Sequence, residues 1–434
     1  MIRVMDPACG DGRLLAAAAS AAAVRGVPPG ALELVGIELD ADTAQQARLA
    51  VPSARILGGD GREVDPGGCF DAVIGNPPYL GQLATATSRG GSSRLGGGPY
   101  ADVAAEFLLR ALQLARPDGG RVALVLPQSV LATRDTRAIR AAVRRQAAVT
   151  GLWWAASQVF EAGVHVCVVV VQRGRPQGPV ARWRGPEMAP LVDAPARAVE
   201  GPTWAPLIAD AAGVPAVELA EGNGRLGDLA TATAGFRQHF YGLAPFVADD
   251  GPGAPLVTTG LIDVGRCAWG ERPARFAKRR FAAPRVDLDA LDAADPALAA
   301  WARGRLRPKV LVAPQTRVIE AADDEEGAWI PSVPVVSVVP HRGEDLWLVA
   351  AVLLAPPVAA WAAHRHLGSG LGPTSLRLRA SEVLDLPLPP GQWTAAAELL
   401  RVGEIDRAAG ELCTVYGLNG GEQDRVLSWW RAAR

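Results

Sequence analysis

Short apolar runs alternate with longer helical stretches over the first 174 residues. Residues 2–5, 32–39, 54–57 and 70–74 are apolar and of strand length, each closed by glycine or aspartate. An alanine-rich helix is expected from about Leu14, after the first strand. Residues 100–114 read as an amphipathic helix with Phe107 and Leu108 on its apolar side. The run Pro117-Asp118-Gly119-Gly120 stops it, and residues 121–126 form the next strand. Residues 133–145 read as a helix with five arginines on a solvated face, and residues 164–171 as a further buried strand. Strand and helix in alternation predict an α/β domain over residues 1–174.

The rhythm then changes. Residues 175–225 are rich in proline and glycine and read as a linker. Strand-sized pieces at 256–259, 309–312 and 334–339 predict a mixed α+β domain over residues 226–390. Helices at 393–409 and 423–433 are expected to close the chain as a tail over residues 391–434.

Composition changes this picture little. A chain of 434 residues with 49% hydrophobic positions has room for two or three cores. No apolar run reaches the ~20 residues of a membrane helix, and Met1 leads straight into a strand without a secretory leader, so no membrane partner is expected. The five cysteines are scattered without a C-x-x-C pair, which points to free thiols in a reducing, cytoplasmic setting and to no metal site. The net charge of −1 decides nothing about nucleic acid, so local charge matters more.

The chemistry gathers at strand ends. Gly75 ends the fourth strand, and Asn76-Pro77-Pro78-Tyr79 holds the chain in a rigid extended turn beyond it. Asn76 offers a side-chain carbonyl and Pro77 a backbone one, two acceptors side by side for an exocyclic NH₂. Tyr79 adds a flat ring for a heterocycle. After the first strand, Asp6-Pro7-Ala8-Cys9-Gly10-Asp11-Gly12 places glycines where a backbone must approach a ligand. Glu38 and Asp40 stand at the end of the second strand, where an acid grips ribose hydroxyls. Asp60, in Gly58-Gly59-Asp60-Gly61, suits an adenine amino group. Each acid alone is more often a solvated loop carboxylate; three successive strand ends with nucleoside-type contacts carry more weight.

In this order, DPACGDG, GIELD, GGD and NPPY resemble the γ-class N6-adenine DNA methyltransferases, the TaqI-like enzymes. The resemblance implies a Rossmann-like S-adenosylmethionine methyltransferase sheet. It implies cofactor contacts from Asp6, Ala8, Gly10, Gly12, Glu38, Leu39, Asp60, Gly61, Asn76 and Phe107. Asn76, Pro77, Pro78 and Tyr79 would receive the target base, with Phe160 stacking on it. His165, beside Phe160, reads as packing. Residues 85–98, rich in glycine and serine, read as a loop over the site. The family's helix upstream of the first motif, which closes one side of the cofactor pocket, has no counterpart in the five residues before Asp6.

The later chain has a second, weaker resemblance. Leu378-Arg379 followed by Leu384-Asp385-Leu386-Pro387-Leu388-Pro389 is similar to the end of target-recognition domains in type I and type IIG restriction-modification proteins. Between Arg266 and Lys309 there are eleven Lys/Arg against five Asp/Glu. Arg272, Arg275, Lys278, Arg279 and Arg280 are interleaved with Trp269, Phe276 and Phe281, a pattern suited to phosphate contact on double-stranded DNA. A separate restriction nuclease or defence-system subunit is a conceivable partner. The rival readings are a protein-glutamine or RNA methyltransferase, and a non-catalytic DNA-binding subunit with a degenerate cofactor pocket.

Overall fold

The computed structural model describes residues 1–79, 101–160, 164–192, 194–220, 223–235, 237–249, 251–370 and 372–434. The chain divides into two compact units, Met1–Ala212 with Leu371–Pro373, and Gly213–Gly370 with Thr374–Arg434.

The first unit is built on a nine-stranded sheet. Its elements are β1 (Ile2–Asp6), α1 (Arg13–Val24), β2 (Leu32–Glu38), α2 (Ala41–Ala50), β3 (Ala54–Gly58), β4 (Ala72–Gly75), α3 (Val103–Leu114), β5 (Arg121–Pro127), α4 (Arg137–Gln146), β6 (Ala147–Trp154), β7 (Val166–Arg173), β8 (Ala181–Arg184), β9 (Ala189–Pro190) and α5 (Ala205–Ala211). The strand order is β3-β2-β1-β4-β5-β7-β6-β8-β9. Strands β1 to β5 run parallel, and β7 is antiparallel to both its neighbours. Strands β1 and β2 are buried on both faces, as the adjacent pairs Val4–Met5 and Leu34–Val35 show. That is why they read as continuous apolar runs rather than as alternation. The chain builds outward from β1 to β3, then returns to start β4 on the other side of β1. This reversal opens a crevice at the carboxyl ends of β1 and β4.

Three expectations need correction. Residues 175–212 are no linker: β8 pairs in parallel with β6, and the buried Asp210 of α5 holds Arg182 at 2.8 Å and Arg197 at 2.7 Å. The arginine-rich helix is not wholly solvated either. Arg140 is 2% exposed and donates to the carbonyls of Val130 and Pro202, both at 2.8 Å; burial pulls its pKa down to about 10. The tail is part of the second unit, and residues 393–409 form two helices, Thr394–Arg401 and Ile405–Val415. Gly403 breaks them apart at φ +79°.

The second unit contains a four-stranded antiparallel sheet with β10 (Ala230–Ala234) at one edge, then Val336–Pro340, Lys309–Ala313 and Glu320–Asp324. Lys309 and Asp324 are both buried and ion-paired across it. Helix α6 (Arg237–Leu243) follows β10. Two strands, Ala274–Phe276 and Arg279–Phe281, form a hairpin through Ala277 and Lys278. Apolar helices Leu346–Leu354 and Pro356–His366 are buried in this unit. Among the described residues no single helix is long and apolar enough to cross a membrane.

Candidate active site

The carboxyl ends of β1 to β4 bring the expected residues to one edge of the sheet. Asp6 closes β1 and is 1% exposed. Its Oδ1 accepts the Ala8 N–H at 3.0 Å. Beside it, Gly75 closes β4 so tightly that an added Cβ would stand 3.1 Å from Asp6 Oδ1 and 3.2 Å from Leu124 Cδ2. Any side chain there would push the following Asn76 turn away from the β1 end.

Burial pushes the Asp6 carboxyl up to about 7; the Ala8 hydrogen bond opposes this, and nearby Glu38 adds to it. The same surroundings raise the Cys9 thiol to about 12, with burial first and Asp6 and Glu38 adding. Neither Asp6 nor Glu38 has a basic partner among the described residues. The pocket floor is therefore electronegative.

Glu38 ties two turns together. Its Oε2 accepts Gly10 N–H and its Oε1 accepts Asp40 N–H, both at 2.9 Å. Each oxygen keeps a lone pair for a ligand hydroxyl. Asp40 serves the helix instead. Its Oδ1 caps α2 through Thr43 N–H at 2.8 Å, and the Thr43 hydrogen bonds hold its pKa below the usual range. Gly10 and Gly12 have φ of +55° and +87°, and nothing lies within 4 Å of a Cβ placed on Gly10. The backbone there is bare. Leu39 is 73% exposed, an apolar flank beside Glu38.

Asp60 is less free than expected. Arg62 donates to it from Nη2 at 2.6 Å and from Nε at 3.0 Å, and reaches Glu106 on α3 at 3.3 Å. Helix α3 grips this turn twice more. Arg110 donates to the carbonyls of Gly61 at 3.2 Å and Val64 at 2.7 Å. A Cβ on Gly61 would fall 1.7 Å from the Pro7 carbonyl oxygen and 3.3 Å from Phe107 Cε1. So Phe107, 4% exposed, lies close to the Asp60–Gly61 turn. The Arg62–Glu106 clamp was missed from sequence; its only signal is an acid buried in an apolar helix.

In the turn after β4, Asn76 and Pro78 are exposed, Pro77 is buried and Tyr79 is half-buried. The Tyr79 hydroxyl donates to Asn76 Oδ1. Burial raises the Tyr79 phenol, with Cys167 at the start of β7 and Asp102 adding to the shift. Phe160 is 37% exposed and lies six residues before β7, whose first residue pairs with Pro127 at the carboxyl end of β5. The topology thus sends Phe160 to the same sheet edge. The His165 backbone carbonyl accepts Gln128 N–H at 2.8 Å. The loop at 85–98 and residues 161–163 lie outside the described residues.

Two carboxylates without cationic partners among the described residues, a bare glycine turn and the exposed Leu39 fit a ligand with a positive charge and a ribose. Residues 2–184 match the family model described as N-6 DNA Methylase. Among solved structures, the type IIL restriction-modification enzyme MmeI, determined in complex with DNA, is similar over 100% of this chain and 70% of its own. The TM-score is 0.58 at 14% identity. That likeness shows a shared fold through both units. A type I restriction-modification methyltransferase subunit from Streptococcus thermophilus is similar over 42% of each chain, with 21% identity and a TM-score of 0.36. A class I S-adenosylmethionine-dependent methyltransferase from Listeria monocytogenes is similar over 42% of this chain, with 16% identity and a TM-score of 0.37. The chain spans 42% of the Streptococcus protein and 58% of the Listeria one. A search of curated proteins gave no match.

In the second unit, the five basic residues separate. Arg272 forms an ion pair with Asp263 at 2.8 Å, with both side chains 44% exposed. Arg275, Lys278, Arg279 and Arg280 are exposed on the hairpin and have no carboxylate partner among the described residues. Arg275 and Arg280 face each other across the strands. Like charges so placed destabilise a hairpin unless an anion lies between them.

Proposed function

We propose that this chain is an S-adenosylmethionine-dependent DNA methyltransferase of the γ class that modifies the N6 of an adenine turned out of the duplex. The observation that carries this reading is the Asn76-Pro77-Pro78-Tyr79 turn beside buried Asp6 at the reversal point of the sheet.

An adenine inside the stack has its N6 edge paired and its faces covered, so it must leave the helix for in-line transfer. The Tyr79 ring and Phe160 receive its faces. Asn76 Oδ1 and the Pro77 carbonyl accept the two N6 protons, drawing the nitrogen lone pair out of the ring. The Tyr79 hydroxyl, which holds Asn76 Oδ1 beforehand, gives way to that amine. S-Adenosylmethionine would supply an electrophilic methyl whose S–C bond breaks to leave a neutral thioether without acid assistance, and the methylated N6 would release one proton to solvent. Asp6 offsets positive charge in the cofactor, Glu38 takes ribose hydroxyls, and Asp60 with Phe107 frames its adenine. The protein's work is positioning and charge placement. The hairpin Arg275, Lys278, Arg279 and Arg280 holds duplex DNA by its phosphates.

Asn76→Ala should lower turnover on duplex DNA by about 10²-fold or more while cofactor affinity stays within a few-fold. Radiolabelled methyl transfer, with calorimetry alongside, measures both. Near-wild-type turnover in that variant would overturn the assignment. So would methylation of protein or RNA but not DNA by the wild type.

A further inference from the structure

The surface of the second unit around α6 has a composition that folding alone does not require. Strand β10 is a sheet edge with Thr231 and Thr233 exposed. The chain then turns at Gly235, where a Cβ would meet Val333 Cγ2 at 2.7 Å, and enters α6. His239 of α6 stacks on Trp301 with ring centroids 4.1 Å apart and planes 17° apart. The Arg305 guanidinium lies over the indole at 5.0 Å and donates to Thr233 Oγ1 at 2.8 Å. These planar groups form an ordered column, with Gln238 exposed and Tyr241 67% exposed beside it.

The surface carries uncompensated positive charge. Arg305 and neighbouring Arg307 have no carboxylate partner among the described residues. Burial lowers the Arg305 pKa and Arg307 adds to the shift, as expected where cations crowd. The buried Arg305 Nε has no hydrogen-bond acceptor among the described residues. The surface also continues into the basic hairpin. Phe240 of α6 packs on Phe276 of the hairpin with centroids 4.6 Å apart, and both belong to one apolar cluster with Trp301. The hairpin turn itself is made by Ala277 and Lys278 at φ +47° and +64°, a conformation usually left to Asn-Gly. A strained turn that projects a lysine tip, opposed arginines, and an ordered aromatic–arginine column share one support.

We propose that α6 with Trp301 and Arg305 is the base-reading surface of this unit, contacting the edges of duplex DNA, while the hairpin beside it takes only phosphate. Arg305 and Gln238 supply hydrogen bonds suited to base edges, and Tyr241 supplies a flat apolar contact. A polyanion satisfies the charge of both elements at once. This assignment rests on the DNA-methyltransferase reading above and adds which residues set the sequence read.

The test uses the full chain and a randomised duplex pool, followed by long-read mapping of methylated positions. Tyr241→Ala changes an exposed side chain and Arg305→Gln a half-buried one; the folding of both is checked by thermal unfolding. Each should relax or shift the selected sequence, lowering the specific-to-nonspecific ratio by about tenfold, with little change in salt dependence. Arg275→Gln with Arg280→Gln should weaken all sequences alike and reduce the slope of log K against log[salt] by about 2. Unchanged sequence preference in both Tyr241→Ala and Arg305→Gln, with DNA still methylated, would overturn the reader assignment alone. A wild-type chain that selects no duplex and methylates none would overturn the reading beneath it as well.

Discussion

Replacing Asp6 by asparagine tests whether the site is built for a cation. The carboxyl is 1% exposed, and its folded-state pKa stands at about 7 against 3.8 for a free side chain. A difference of about three units is worth on the order of 4 kcal/mol at 1.36 kcal/mol per unit, taken as a ceiling. The folded state binds the proton more tightly than the unfolded chain. Stability from this group is therefore complete below about pH 4, falls as pH rises, and is lost above about 7. Asparagine keeps the shape and can still accept the Ala8 N–H, but never ionises. At about pH 8 the ligand-free Asp6→Asn variant should be the more stable protein by several kcal/mol at most, and the gain should vanish near pH 4. Hydrogen exchange of β1 and β4 across that range reads the effect within the first unit. The variant should in turn lose affinity for S-adenosylmethionine, while adenosine, which has no cation, binds nearly as before. Identical pH dependence of exchange in the two proteins would refute the reasoning, for Asp6 would then ionise like a surface acid.

Two further substitutions probe the same edge. Tyr79→Phe keeps the ring but frees Asn76 Oδ1 from the hydroxyl; binding of a duplex with an unpaired adenine at the target should be as tight or tighter, and a tenfold loss would mean that the hydroxyl itself contacts substrate. Gly61→Ala drives a methyl against the Pro7 carbonyl, 1.7 Å from the ideal Cβ position. It should cost about 3 kcal/mol or more and abolish cofactor binding, as urea unfolding and calorimetry would report.

The strand-end turns were legible because their signals are local. Gly10 and Gly12, the acid at Glu38, and Pro77-Pro78 after Gly75 each constrain their own turn, and the structure places them at one sheet edge. What was missed depends on residues far apart in the chain. Asp60 looked available because Arg62 is common beside acids on a surface; only the fold shows that Glu106, 44 positions further on from Arg62, fixes that guanidinium. Arg272 looked like its basic neighbours until Asp263 came within 2.8 Å. Residues 181–184 looked like linker because a four-residue strand has little pattern of its own, and its place is decided by the bonds that β6 and β9 offer. Arg140 shows the converse: a periodic charge was assumed wet, while carbonyl groups distant in sequence made a dry site for it.

The hydrogen bond from Tyr79 to Asn76 has a consequence for fidelity. Small free amines, such as ammonia or a lysine side chain, meet an acceptor that is already engaged. To take it they must break an internal bond and recover no more than they disrupt. A nucleobase gains in addition the contact area of its ring with Tyr79, which a small amine lacks. On the function proposed above, rejection of the wrong nucleophile would be settled by shape before any methyl moves, and a competing amine at high concentration should slow the reaction far less than a free purine does.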